Sequence, residues 1–331
     1  MRHAFAFAFV CPLAALAACL AACDAGALGA ADAASTPADL PPTPDTTSPA
    51  ETSDGDATPE DSAADTLAEP EGHSHGTGEL ASHIHGLAFY RGTKEIVVGT
   101  HEGTWRTEAG ASALVRLATA GDFMGFIGDP HTADRLWSSG HNAASGYPNW
   151  GWIESLDGGA TWTPITLGPT VDFHLTAASR DTVDVVAGLY GGTIYYSTDA
   201  GRHWTQYAWS EPASALEIAS PTGPVFLIAS ATGLRRVTAP AMTASRLVTA
   251  DVSAVAHWGA GTIFGTSNGK VFLCDADAAN CTERAGPRGQ KVLRFLVDPD
   301  DRDRIYALDA GSGVFHSDDA GASWVAVIGG H

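Results

Sequence analysis

From His83 to the end of the chain, apolar residues come in short runs of about five, separated by glycines and other turn-forming residues. Runs of this length, rich in β-branched and aromatic residues, predict strands. A first set reads His83-Ile-His85-Gly-Leu, Asp122-Phe-Met124-Gly-Phe, Asp172-Phe-His174-Leu-Thr, Ala215-Leu-Glu-Ile-Ala, Val252-Ser-Ala-Val-Ala and Val292-Leu-Arg-Phe-Leu. A second strand follows each of these, at 95–99, 135–139, 183–188, 225–229, 262–265 and 304–308. Most of them then turn through a glycine into a third: Gly103-Thr-Trp105, Gly192-Thr-Ile-Tyr195, Gly233-Leu-Arg235, Gly269-Lys-Val-Phe272 and Gly313-Val-Phe315. The unit recurs every forty residues or so, and six copies fill 83–331. One copy departs from the pattern: between Ser138 and Gly151 it inserts a longer loop, Gly140 to Trp150, of the sort that carries function on a rigid scaffold.

The repeat also has a turn signature. Ser155-x-Asp157-x-Gly159-x-x-Trp162 returns as Ser197-x-Asp199-x-Gly201-x-x-Trp204 and as Ser317-x-Asp319-x-Gly321-x-x-Trp324. Physically this is a tight hairpin. The aspartate can accept hydrogen bonds from backbone N–H groups two or three residues on, the glycine supplies a positive φ, and the tryptophan heads the next strand and packs into the neighbouring unit. On these residues the chain resembles the Asp-box, or bacterial neuraminidase repeat, β-propellers. The resemblance implies an all-β fold, a six-bladed propeller of four-stranded blades with Asp-box hairpins on the face away from the ligand site. It says nothing about the chemistry.

The segment before the repeats changes the setting. Met1-Arg-His precedes an apolar run from Ala4 to Ala18, and then Leu20-Ala21-Ala22-Cys23 resembles a lipoprotein processing site, with Cys23 as the lipidated residue. Leu16-Ala17-Ala18-Cys19 fits nearly as well. Residues 1–23 therefore read as a lipoprotein-type signal peptide, 24–78 as a linker and 79–331 as the propeller. Between Asp24 and Gly72 there are 12 acidic residues, no lysine, no arginine and no aromatic residue, which predicts a disordered, self-repelling spacer. The expected location is the cell envelope, with the membrane contacted through the N-terminal lipid. The spacer accounts for much of the net charge of −20; beyond it, 26 acidic residues face 17 basic ones without basic clusters, which argues against a nucleic-acid partner. In an exported chain the pair Cys274 and Cys281, bracketing a turn, reads as a disulfide. A calcium loop at Asp275, Asp277 and Asn280 is the sharper reading of the same turn, but it lacks the glycine and the bidentate glutamate.

The candidate chemistry gathers in the first three repeats. In a propeller the first strand of each blade lines the channel, and its start shares a face with the end of the second strand. Side chains two apart on a strand point the same way. His83 with His85, Asp122 with Met124 and Asp172 with His174 are thus expected at one channel mouth. The second-strand ends add His101, His141 and Tyr190, with Glu102 beside them. The corresponding positions of the last three blades are mostly apolar, Arg294 and Ser267 excepted. Histidine with carboxylate suits zinc or another divalent ion, and histidine with methionine suits copper. The plainer alternative is a hydrated channel in which each histidine bonds a neighbour. Tyr147, Trp150 and Trp152 in the inserted loop are candidate platforms for a glycan.

The run His83-Ile-His-Gly-Leu87, Thr100-His-Glu-Gly103, Asp122-Phe-Met-Gly-Phe126, Ser139-Gly-His141 and Asp172-Phe-His-Leu175 also resembles a family of exported bacterial propellers labelled glycosyl hydrolases of the exo-sialidase type. That resemblance implies three arginines clamping a substrate carboxylate, the first in a Phe-Arg-Ile-Pro sequence. No such sequence occurs here, and among inner-strand positions only Arg294 offers a guanidinium. Sialidase activity is therefore not expected. Another glycoside hydrolysis would need paired carboxylates, for which Asp122, Asp172, Glu102 and Glu154 are the candidates. The expected function is binding of a metal ion or small polar ligand at the mouth. A hydrolase and a scaffold docking another envelope protein are the alternatives.

Overall fold

A computed structural model describes residues 83–90, 93–108, 114–118, 121–142 and 148–329. The signal, Cys19, Cys23, the spacer and Tyr147 lie outside the described residues. What is described is all-β: six four-stranded antiparallel sheets in a ring, a six-bladed β-propeller. Blades 1 and 3 to 6 run in simple order, each from an inner to an outer strand. Their inner strands are Ile84–Phe89, Leu175–Ala178, Ala215–Ser220, Val252–Trp258 and Val292–Val297.

Blade 2 is built differently from the sequence reading. Its first apolar run does not form one strand. Asp122–Phe123 pairs with Gly140–His141 as a separate two-stranded ribbon, and the inner strand of the sheet is the short Ile127–Gly128. The bend between them has a steric cause. A Cβ on Gly125 would lie 2.5 Å from the Phe173 carbonyl oxygen, while Phe126 sets its backbone carbonyl against Gly86 and its ring against Gly99 of blade 1. In blade 3 the Phe173 carbonyl presses on Gly125 of blade 2 in the same way, while the Phe173 ring packs on Gly188 of its own second strand. Its inner strand accordingly starts at Leu175 rather than at Asp172. Glycine facing phenylalanine draws the first three blades tightly together, so their strand starts can share one site.

The three Ser-x-Asp-x-Gly-x-x-Trp turns have one geometry. The serine Oγ donates to the aspartate at 2.7–2.8 Å and accepts the glycine N–H at 2.8–2.9 Å. The aspartate accepts the N–H of the residue four positions on, Thr161, His203 or Ser323, one residue further than the sequence suggests, and Asp157 also accepts from Ala160, three positions on. Gly158, Ala200 and Ala320 donate from these turns to the loop between first and second strands. The turns therefore sit on the face opposite the channel mouth. Two of the tryptophans reach the preceding blade, Trp204 on Trp152 with Nε1–H to Thr166 Oγ1 at 2.9 Å and Trp324 with Nε1–H to the Ala285 carbonyl at 3.0 Å, while Trp162 packs on Phe123 and Phe126 and donates to the Gly159 carbonyl.

The ring closes without exchanging strands among the described residues. Blade 6 packs Tyr306, Leu308, Val314 and Ile328 against Ile84, Leu87, Ile96 and Val98 of blade 1, and the Tyr306 hydroxyl donates to the Lys94 carbonyl at 2.6 Å. In blade 5 Cys274 and Cys281 are cross-strand partners and form a disulfide. The calcium reading of their turn is corrected: Asp275 accepts from Ala279 N–H and from the Asn280 backbone and side chain, and Asp277 pairs with Arg236. Those carboxylates are already engaged by the chain.

Candidate functional site: a histidine and aspartate cluster at the channel mouth

His85 reaches the channel through a bulge. Ile84 faces Thr100 and Gly86 faces Gly99, so His85 has no cross-strand partner and lines the central cavity. His101 follows the second strand of the same blade. Asp122 opens the ribbon of blade 2 directly across from His141. Asp172 and His174 precede the inner strand of blade 3, where the Phe173 N–H is held by the buried Ser139 hydroxyl at 2.8 Å. That hydroxyl in turn donates to the Gly151 carbonyl at 2.7 Å, which locks blade 3 to blade 2 beneath the site.

Asp122 is the centre of the cluster and is only 5 % exposed. Its Oδ2 lies 2.7 Å from His101 Nδ1 and 3.7 Å from His141 Nε2, and its Oδ1 lies 3.5 Å from His85 Nε2. Burial pushes its carboxyl upward, but the His101 hydrogen bond and the surrounding imidazoles of His85, His101 and His141 outweigh burial and leave it below the usual carboxylate range. The carboxylate is thus ionised and can only accept, so His101 Nδ1 carries the proton. His141 extends the chain, its Nε2 lying 3.8 Å from Asp172 Oδ2, and His174 Nε2 lies 3.5 Å from that same oxygen. The His83 ring stands 5.6 Å from that of His101.

Three of these groups, His85, His101 and Asp122, present nitrogen and oxygen atoms that all lie within 4.8 Å of one another. Ligands bound at about 2.0–2.2 Å to one small cation stand at most about 4.4 Å apart, so a small inward shift of these side chains would close them on a single ion. His85 Nε2, Asp122 Oδ1 and Asp172 Oδ1 are buried without a hydrogen-bond partner among the described residues. Burial, with the charge of His101 next, lowers the His85 pKa to about 3, so its imidazole is neutral and ready to act as a ligand.

Other sequence candidates fall elsewhere. Glu102 is exposed in the turn after His101, and its carboxylate is not one of the three converging groups. Met124 is half-buried in the bend of blade 2. The Tyr190 ring packs on the core around Trp137 and Phe173. The platform reading of the inserted loop is corrected: Trp152 is fully buried beside Trp137, and Trp150 packs on Phe123 at 5.2 Å while filling the space over Gly121. Glu154 is also withdrawn as a catalytic acid, since Arg135 Nε–H and Trp137 Nε1–H both donate to it inside blade 2.

The sequence reading missed the other end of the channel. Glu217, His257 and Arg180 line the same cavity as His85, His174 and Arg294, so the last three blades are polar at depth although apolar at the mouth. Glu217 and His257 each lie two residues beyond an apolar wall residue, Ala215 and Val255. The period-two rule that selected the mouth residues would have selected them too.

The depressed His85 pKa has a consequence for the metal-free protein. Above pH 6.5 His85 is neutral both folded and unfolded. As pH falls from 6.5 towards 3 the unfolded chain takes up a proton that the folded one refuses, so stability is progressively lost. Between pH 7 and pH 4.5 the loss attributable to this residue is on the order of 2 kcal/mol. Denaturant unfolding in chelator is expected to show a smaller acid loss for His85→Gln than for the wild type, and equal losses would contradict the assignment.

No family model matches the chain, and no curated protein matches it. Solved structures do. Superposition on the tricorn protease gives a TM-score of 0.55 at 11% identity, covering 76% of this chain and 26% of that one. An ancestral GH74 enzyme gives 0.51 at 9% identity, covering 72% and 36%. YCF48 bound to a D1 peptide gives 0.48 at 14% identity, covering 74% and 81%. The chain thus spans about a quarter to a third of the first two. At such identities what is shared is the fold, and the fold is that of a β-propeller.

Proposed function

We propose that this chain is an exported, lipid-anchored propeller of the Asp-box type that binds a divalent transition-metal ion, of the zinc or copper class, at its channel mouth. His85, His101 and Asp122 are the ligands, and His83, His141, Asp172 and His174 surround them. The supporting observation is the convergence of two imidazoles and one ionised carboxylate from two blades, with a nitrogen and an oxygen buried and unpartnered among the described residues. A cation between them would satisfy both atoms. Three protein ligands leave a position for an exogenous ligand, the arrangement of sites that present a metal to something else rather than of closed structural ones.

Glycoside hydrolysis is the weaker reading. A general acid needs a raised pKa, whereas Asp122 is held low and Glu102 stands apart. The test is elemental analysis of the full chain purified without a polyhistidine tag or chelator. About one zinc or copper per chain is expected. A folded, metal-free protein that cannot be loaded by dialysis would overturn the proposal and return the cluster to a hydrated channel, leaving glycan and envelope-protein partners to be screened.

A further inference from the structure

Arg294 is left unused by the metal proposal. It stands on the inner strand of blade 6 and lines the central cavity of about 150 Å³ below His85 and His174. Its guanidinium donates to the Leu293 carbonyl at 2.8 Å and, across the channel, to the His174 carbonyl at 3.3 Å. Arg106, Arg135, Arg235, Arg236, Arg288 and Arg304 all pair with carboxylates. For Arg294 the described residues supply carbonyls alone. Burial is the sole cause holding its pKa down at about 10, so it remains charged at neutral pH with no carboxylate paired to it among the described residues.

The groups around it sharpen the contrast. His85 above it is neutral, and Arg294 contributes to keeping it so. Arg180, which lines the same cavity, has the Glu217 carboxyl close by; burial raises that carboxyl's pKa, and the charges of His257 and Arg180 offset the rise only in part. Arg294 has no such carboxylate neighbour among the described residues. A half-buried, uncompensated cation is costly to keep. Two of its five N–H groups are used by the carbonyls, leaving the rest for what enters the cavity.

We infer that the channel binds a short-chain monocarboxylate, its carboxylate gripped by Arg294 and its tail lying on the apolar wall formed by Leu216 and Val255. Size and charge select the class. A cavity of about 150 Å³ holds a ligand of roughly six heavy atoms, as benzene fills an engineered cavity of that volume. Of the two guanidiniums lining the cavity, Arg180 has the Glu217 carboxyl beside it, so Arg294 is left to balance one negative charge, and Leu216 and Val255 offer hydrocarbon alongside. This site needs no metal.

The experiment uses the full chain freed of metal by chelator and dialysis, titrated calorimetrically with butyrate, with its neutral isostere butyramide and with inorganic phosphate. Butyrate is expected to bind at least about tenfold more tightly than butyramide, the factor that a charge-assisted hydrogen bond carries, and more tightly than phosphate. Arg294→Met is expected to abolish the butyrate preference while leaving the thermal midpoint of the ligand-free protein unchanged or raised. The inference is overturned if butyrate and butyramide bind alike or not at all, or if phosphate binds more tightly. It is equally overturned if Arg294→Met lowers the midpoint, because the guanidinium would then be a structural tie between blades 6 and 3. Because every arm is metal-free, failure here leaves the metal proposal standing, and failure of the metal proposal leaves this one.

Discussion

Gly86→Ala is expected to destabilise the ring by about 3 kcal/mol, the upper range for overpacking, and to lower its thermal midpoint by about 6–12 °C. The added Cβ would lie 2.2 Å from the Phe126 carbonyl oxygen and 2.9 Å from the Phe126 Cβ. A backbone oxygen cannot swing aside as a flexible side chain can, so blades 1 and 2 must separate. His85 stands next to Gly86 on blade 1, and Asp122 lies four residues before Phe126 on blade 2. The strain is therefore applied across the gap that the metal proposal depends on, and metal occupancy should fall along with stability. Calorimetric unfolding checks the first effect and elemental analysis the second. A loss below about 1 kcal/mol would mean that the inner strands of these blades do not approach so closely.

The second large effect is on binding. Asp122→Asn keeps the shape of the side chain and removes its charge. The amide oxygen can still accept the His101 Nδ1–H, so the ring should stay folded, yet the anionic ligand is gone. Loss of a residue that merely orients a ligand costs about 10–100-fold in metal affinity, and loss of a ligand itself should cost more, so a fall beyond about 100-fold is expected. Asp172→Asn is the matched control. It removes an equally buried carboxylate that sits 3.5 Å from His174 but outside the converging three, and a fall within that 10–100-fold range is expected. Competition against a chromogenic chelator measures both. Equal losses in the two variants would shift the site towards His141 and His174.

Much of the fold was legible because it repeats. Six short first strands, their partners and three copies of one turn are period-two and forty-residue patterns, and such patterns survive without knowledge of tertiary contacts. The broken first strand of blade 2 was not legible. Asp122-Phe-Met-Gly-Phe has the composition of a strand, and only the close approach of Phe126 to Gly86 and Gly99 shows why it bends. The same holds for Trp150 and Trp152, which look like exposed platforms in a glycine-rich loop but are drawn inward by Phe123 and Trp137.

The candidate site divides in the same way. Strand alternation selected His85, His101, Asp122, His141, Asp172 and His174, and these are the residues that meet at the mouth. It could not rank them, because the ranking depends on the bulge that frees His85 and on the ribbon that carries Asp122 over to blade 1. Met124 and Tyr190 fitted the same pattern, with Glu102 beside His101, and went to a bend, a core and an exposed turn. Glu217 and His257 satisfied it deeper in the channel, where only the mouth had been considered.

The most direct test of the metal proposal is where the ion sits. Crystals of the full chain grown after loading with one equivalent of zinc, with anomalous data collected on both sides of the zinc edge, would locate it. The proposal predicts one strong peak within coordination distance of His85 Nε2, an imidazole nitrogen of His101 and Asp122 Oδ1. A peak at exposed residues such as His203 and Asp199, with the mouth empty, would contradict it.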